Sequence, residues 1–329
     1  PLGERTLADL LKAQGYATGL IGKWHLGAHA SRHPQQRGFD EFYGFLNEGH
    51  YYVPKPYLGV TTWLRIAKNP EGPGPRMRRG RLIFSDHMGN GGDEPTYDLE
   101  NPMLRGVTPI TDPRYLTTAL ADEAIGFIEN HRRNPFFLYL AFNAPHSPMQ
   151  ADDAHMQRFA HVKDIHRRIF LAMTAHVDDA VGRVLAKLRS IGAEDDTLIF
   201  FFSDNGGPTR ELTSSNAPLR AGKGQVYEGG LRVPFLVQWM GRLPEGKIDQ
   251  RPVIALDVVP TALAAAGAPV PSNLDGVDLT PFLTGDDNGQ PHETLYWRYG
   301  SRIALRHRDW KLVGRYERGT GLTESELYN

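Results

Sequence analysis

The chain has 329 residues, enough for one large α/β domain, or a large domain and a small one, around a sizeable core. Lys and Arg total 37 against 38 Asp and Glu, a formal net charge of -1, so no global field gathers nucleic acid or an acidic membrane, and any anion site must be local. Cysteine is absent, which excludes disulfides, thiolate metal ligands and a cysteine nucleophile within these residues and leaves the redox compartment open.

Taken in chain order, Thr6 followed three residues later by Asp9 suits a helix start, with Leu7, Leu10 and Leu11 on one face and Gly15 as a stop. An extended apolar run, Ala17 to Ile21, comes next. Residues 47–112 are rich in Gly, Pro and Arg and lack a clean period, which predicts a long functional or mobile loop. Leu116 to His131 predicts a second helix, and Pro135 introduces the strand FFLYLAF at 136–142. Ile165, Ile169, Met173, Val177, Val181, Leu185 and Leu188 recur at three and four, predicting a long helix from about Asp164 to Leu188. The runs LIFFF at 198–202 and PFLVQW at 234–239 read as buried strands, with a helix around Asp257 to Ala266. From Leu295 onward, LYWRY, RIALRH and WKLVGRY have the texture of antiparallel hairpins. Continuous apolar strands alternating with helices predict an α/β fold with a mostly parallel sheet covered on both faces.

In such sheets ligands bind beyond the carboxyl ends of the strands. Ala17 to Ile21 is followed by GKWH, FFLYLAF by NAPHSP, and LIFFF by SDNGGP; LRAGKGQVYEGGLR at 219–232 adds Lys223 between two glycines. In extended backbone, residues two apart point the same way, so Lys23 and His25 are expected to face one crevice while Trp24 turns to the packing. Together the clusters offer two amines (Lys23, Lys223), two imidazoles (His25, His146), one carboxylate (Asp204) and one amide (Asn205). That inventory suits a small oxyanion beside a hard metal ion, and Asp204 and Asn205 supply oxygen ligands of the kind Ca²⁺ or Mg²⁺ accepts. Two residues do not complete such a site.

GKWHLG, RGFDEFYGF, FFLYLAFNAPHSPM, FFSDNGGP, NAPLRAGKG, EGGLRVPF and DVVPTALAAAG, in this order, resemble the type I sulfatases, especially the arylsulfatase A/B-like enzymes of the alkaline phosphatase superfamily. The likeness runs through nearly the whole chain. It implies a three-layer α/β/α sandwich with a mostly parallel mixed sheet, and formylglycine-dependent, Ca²⁺-assisted hydrolysis of sulfate esters. Carried over by motif, Asp204 and Asn205 bind Ca²⁺, with Mg²⁺ as the alternative, and Lys23 and Lys223 hold sulfate oxygens. His25 contacts the formylglycine hydrate and later takes its proton, and His146 binds the sulfate and assists the departing alcohol.

Formylglycine arises from a C/S-x-P-x-R motif in that family. That motif is missing here, as is the acidic pair that completes the family's calcium site. The chain opens on Pro1 without an initiator Met and stops at Asn329 amid alternating residues, so it reads as cut at both ends. The expected organisation is a sulfatase α/β domain over residues 1–290, lacking its nucleophile segment, and the start of an antiparallel subdomain over 291–329. Such a fragment is expected to be inactive alone.

The resemblance implies a small-molecule or glycan sulfate ester, sulfated carbohydrate above all, as substrate, and periplasmic, extracellular or lysosomal export. It leaves the oligomeric state undetermined. No run is long enough to span a membrane and no leader is visible. The rival readings are a phosphoester or phosphonate hydrolase on the same fold and a non-catalytic sulfated-glycan binder. Among plainer readings, Asp178 and Asp179 diverge around a helix and read as surface carboxylates, RMRRGR at 76–81 as a solvated loop or a contact to an anionic polymer, and RGFDEFYGF as packing. His155, His161 and His166 receive no role.

Overall fold

The computed structural model describes residues 2–88 and 92–329. The chain forms two compact units, one ending at Glu194 and one spanning Asp195–Asn329.

The first unit begins with α1 (Leu7–Lys12), opened by the expected reciprocal cap: the Asp9 amide donates to Thr6 Oγ1 at 3.0 Å, and the Thr6 amide donates to Asp9 Oδ2 at 2.8 Å. There follow β1 (Ala17–Lys23), β2 (Glu41–Phe45), β3 (Val60–Arg65), β4 (Arg76–Arg78), β5 (Leu82–Ser85), α2 (Tyr97–Glu100), β6 (Met103–Arg105) and β7 (Thr108–Ile110). The unit is completed by α3 (Leu116–Asn130), β8 (Phe136–Ala141), β9 (Met149–Asp152), α4 (Asp153–Arg158) and α5 (Ile165–Ser190).

One sheet has the order β7-β6-β2-β1-β8, with β1 parallel to both β2 and β8 and the outer pairs antiparallel. Leu20 packs with Ala8 of α1, Trp24, Phe39 and Phe42, whereas the adjacent Gly19 lies against Phe127 of α3 so closely that a Cβ would meet the ring at 2.6 Å. Successive strand residues face opposite sides. The sheet is therefore covered on both faces, in an α/β/α arrangement.

The segment expected to be one long loop instead builds most of a second sheet, of order β4-β5-β3-β9, together with the β6-β7 hairpin. Of that segment, 89–91 lie outside the described residues. Its strands are three to six residues long, too short for alternation to stand out among the glycines and prolines. RMRRGR is not a free loop either: Arg76 and Arg78 lie on β4 with their guanidinium groups over the Phe84 ring, and Arg81 pairs with Asp153.

The long helix starts where expected, with Asp164 accepting from the His166 and Arg167 amides. Its buried stripe runs Ile169, Ala172, Met173, His176, Ala180 and Leu188. Val177, assigned to that stripe by spacing, is only half-buried, and a histidine occupies the core position beside it.

The second unit contains β10 (Ile199–Phe202), α6 (Glu228–Leu231), β11 (Phe235–Gln238), α7 (Val258–Ala265), α8 (Thr280–Thr284) and the meander β12 (Thr294–Tyr299), β13 (Arg302–His307), β14 (Trp310–Glu317) and β15 (Gly321–Tyr328). The meander is the small antiparallel sheet predicted from Leu295 onward. The start of α7 is tied by Asp257, fully buried, which accepts from the Ile254 and Val277 amides at 2.8 and 2.9 Å and meets His292 Nε2 at 2.8 Å.

Strand β10 pairs antiparallel with β11 alone among the described residues. The expectation that these apolar strands are buried fails: Phe201, Phe202 and Leu236 are 44%, 37% and 57% exposed, and Tyr139 on β8 is 46% exposed. Strand β8 is an edge of its sheet and β10-β11 is a two-stranded ribbon.

Candidate active site

In the first unit, Lys23 closes β1 opposite Phe45 of β2, and Gly22 stands opposite Ala141 of β8. Any Cβ at Gly22 would lie 1.9 Å from the Ala141 carbonyl oxygen, and its φ of +115° is one that side-chain-bearing residues avoid. Glycine here lets β1 approach β8 and brings the residues after both strands to the same end of the sheet. Beyond Lys23 the chain keeps following β2, with the Trp24 and His25 amides donating to the Phe45 and Leu46 carbonyls at 3.0 Å each. Trp24 is buried as expected, its Nε1 donating to the Arg32 carbonyl at 2.8 Å.

His25 departs from expectation. Its φ is 55°, in the left-handed region, so the strict alternation that would align it with Lys23 ends at Trp24. A histidine held at positive φ is uncommon and costs conformational energy that the surrounding structure must offset. His25 is exposed and Lys23 half-buried.

His146 lies in the turn that follows β8. Its amide donates to the Asn143 carbonyl at 2.9 Å, and its own carbonyl accepts from Tyr52 Oη at 3.0 Å. Its Nδ1 lies 2.7 Å from the Ser147 carbonyl oxygen. A carbonyl only accepts, so Nδ1 carries the proton and Nε2 bears the lone pair of the neutral ring. Asn143 Nδ2 donates to the His50 carbonyl, and Gln150 Oε1 accepts from the Tyr52 and Val53 amides. These buried amides fasten the 50–53 segment to the strand-end turn, and sequence inspection passed over them because single Asn and Gln residues carry no spacing signal.

In the second unit, Asp204 and Asn205 follow β10. Asp204 is exposed, and its carboxylate has no hydrogen bond or ion pair among the described residues. Asn205 Nδ2 donates to the Gly206 carbonyl at 3.1 Å, which fixes the amide so that its oxygen is the atom left for a cation. Both are hard oxygen donors. They fit Ca²⁺ or Mg²⁺ in chemistry and supply two of the roughly six or more oxygens such ions take.

The turn is built tightly: a Cβ on Gly206 would lie 1.7 Å from the Gly229 carbonyl oxygen. Asn216 accepts from the Gly207 amide at 2.9 Å and donates to the Gly207 and Ala221 carbonyls, each at 2.9 Å. The Lys223 amide donates to the Gly207 carbonyl at 3.3 Å. Lys223 and the Asp204–Asn205 turn are thus two edges of one clamped structure, which the sequence placed 18 residues apart. The C-terminal sheet braces it from behind. Arg302 donates to the Gly224 carbonyl at 2.6 Å, and Arg220 stacks on Tyr227 and pairs with Glu326 of β15. Lys223 itself is exposed.

One cluster went unrecognised in the sequence. Asp152, His155 and His176 bring their ligand atoms within 4.8 Å of one another, the only such three-residue group among the described residues. The available signal was a histidine at the i+3 position after Met173 on an otherwise apolar stripe.

The sulfatase family model matches residues 1–268, and the model for the C-terminal part of N-sulphoglucosamine sulphohydrolase matches residues 222–321. Steryl-sulfatase of Mus musculus is 33% identical over 338 residues, covering 90% of this chain and 53% of that protein. N-acetylgalactosamine-6-sulfatase of Homo sapiens is 32% identical over 290 residues, covering 86% and 49%. The chain thus spans about half the length of the curated relatives it matches. Among solved structures, Ps i-CgsB is 33% identical with a TM-score of 0.80, covering all of this chain and 68% of that one; its complex with k-i-k-neocarrahexaose gives 0.79 at the same identity and coverage. With the family model matching most of its length, and with the strand-end residues set as described, the chain belongs to the sulfatase family.

Proposed function

We propose that the protein hydrolyses sulfate esters of a sulfated carbohydrate, and that Lys23, His25, His146, Lys223, Asp204 and Asn205 carry the reaction. The supporting observation is the local construction of each group: Lys23 closes β1 and His146 follows the parallel neighbour β8 at one sheet end, and Lys223 is clamped to the Asp204–Asn205 turn through Gly207. A carbohydrate substrate is supported by the 33%-identical relative solved with a neocarrahexaose. Residues 1–290 are the sulfatase domain in this reading, and 291–329 begin an antiparallel subdomain. Export to the periplasm, cell exterior or lysosome accompanies it.

In the reaction an oxygen nucleophile bonds to sulfur as the S–O bond to the sugar breaks, the sugar oxygen leaves as an alcohol after taking a proton, and with one water consumed overall sulfate is released. Lys23 and Lys223 bind sulfate oxygens and offset the charge that accumulates on them. His146, with Nδ1–H committed to the Ser147 carbonyl, presents Nε2 to the ester and in its protonated form gives the departing oxygen its proton. His25 holds and later removes a proton at the attacking hydroxyl. Asp204 and Asn205 would hold Ca²⁺, which would supply Lewis-acid stabilisation, and the nucleophile, a formylglycine, would come from sequence outside these residues.

The test is sulfate release from a carrageenan oligosaccharide, a steroid sulfate, an aryl sulfate and a phosphate monoester by a longer polypeptide that includes a formylglycine motif. Carbohydrate sulfate is expected to be the preferred substrate, with His146→Ala lowering kcat by about 10²–10⁴. A polypeptide of these 329 residues alone is expected to give no turnover. Preference for the phosphate ester, or full activity of His146→Ala, defeats the reading.

A further inference from the structure

Asp152 ends β9 and caps α4, His155 lies in the first turn of α4, and His176 projects from the middle of α5. The Nδ1 atoms of both histidines converge on one carboxylate oxygen, Asp152 Oδ2, at 2.7 and 2.8 Å. Their rings stack face to face, 4.2 Å between centroids and 12° apart, and Tyr115 covers the other face of His176 at 4.4 Å and 9°. The far nitrogens are also engaged: His155 Nε2 lies 3.1 Å from Asp179 Oδ2, itself paired with Arg158, and His176 Nε2 lies 2.8 Å from Thr118 Oγ1.

Protons alone satisfy this arrangement only with His155 as an imidazolium held between Asp152 and Asp179. If both Nδ1 atoms donate to Asp152, the lone pair of His155 Nε2 faces a carboxylate unless that ring is also charged, and the charged ring then stacks directly on a second imidazole. A cation at the centre satisfies the same contacts with both rings neutral. Both Nδ1 lone pairs and Asp152 then bind the ion, while each Nε2–H donates outward, His155 to Asp179 and His176 to Thr118. Ligating imidazoles anchored through their second nitrogen to a carboxylate or other oxygen acceptor are the recurrent architecture of metal sites, and the anchor fixes tautomer and ring orientation. Donors about 2.0–2.2 Å from one tetrahedral ion stand roughly 3.4 Å apart, which the 4.8 Å span of this group accommodates with small adjustments. His155 and His176 are mostly buried, but Asp179 is half-exposed, giving the ion an entry side.

We propose that Asp152, His155 and His176 bind one divalent ion of the Zn²⁺ class, with Asp179 and Thr118 as outer anchors and water in the remaining position. Two imidazoles and a carboxylate suit borderline ions and are a poor set for Ca²⁺, which prefers oxygen throughout. The site therefore differs in chemistry from the oxygen ligands at Asp204 and Asn205, and its occupancy pins β9, α4 and α5 together.

The experiment is calorimetric titration of Zn²⁺ into untagged, chelator-treated protein in excess Ca²⁺, with Co²⁺ as an optical probe of nitrogen coordination. One ion is expected to bind with imidazole ligands and to raise the thermal midpoint. His155→Gln is expected to abolish this binding, and Asp179→Asn to weaken it by about 10- to 100-fold, with circular dichroism unchanged. Asp204→Asn is expected to leave Zn²⁺ affinity as it was. The proposal fails if wild-type protein and folded His155→Gln take up Zn²⁺ equally, if Asp179→Asn binds like wild type, or if bound Co²⁺ shows only oxygen ligands.

Discussion

At the scale of single residues, the described structure places unusual demands on a few positions near the strand ends. Gly22 must be glycine because β8 passes where its side chain would go, and His25 occupies a backbone region that bulky residues avoid. A third demanding residue is Asp112, whose carboxylate accepts from Tyr43 Oη at 2.7 Å, from the Arg114 amide at 2.9 Å and from the Arg114 guanidinium. Burial alone would raise its pKa, but the bonds from Arg114 and Tyr43 outweigh that and hold it at about 2. A carboxyl depressed in the folded state stabilises the fold above its unfolded value and loses that contribution as pH falls through the folded one. The window therefore runs from about 4 down to about 2. Asp112→Asn is expected to destabilise by about 1–2 kcal/mol at neutral pH. Urea midpoints of the two proteins should draw together as pH drops across that window, and a pH-independent difference would contradict this account.

At the scale of elements, the capping box of α1 shows how a local pattern becomes tertiary structure. Thr6 Oγ1 also donates to the Arg37 carbonyl at 2.8 Å, joining the helix start to the segment that leads into β2. Thr6→Ala is expected to lower stability by about 1 kcal/mol, seen as a lower denaturation midpoint with an unchanged slope. Strands β8, β10 and β11 present the opposite situation, apolar residues without full cover. Exposed apolar edges template association between chains. A polypeptide of these residues is expected to self-associate, and Tyr139→Lys together with Leu236→Lys to reduce light scattering at equal concentration; unchanged scattering would exclude these strands as the contact.

At the scale of the whole molecule, elements with long or strongly patterned signals were legible in advance. The 3.6-residue stripe of α5, the capped start of α1, the runs of β1 and β8 and the C-terminal hairpins are all present with ends shifted by a few residues. The sheet of β3, β4, β5 and β9 was not legible. Its strands are short, and β9 returns to β3 from far along the chain, pairing Met149 with Trp63 across 86 residues, a separation no local pattern encodes. The site divides in the same way. The residue types were read from the motifs, while Asn216 and the braces from β13 and β15 emerged only with the fold. His176 was overlooked because the spacing argument accepted Val177 in its place.

The sequence alone determined the α/β class, the family and the inventory of amines, imidazoles and oxygen ligands, because these depend on residue type, periodicity and motif, all of which are local. Only the tertiary structure decided that His25 leaves the extended path and that Lys223 is clamped to the Asp204–Asn205 turn. It also decided that Asp152, His155, His176 and Asp179 meet. Those outcomes depend on which backbones approach one another, and close approach is a property of the packed chain.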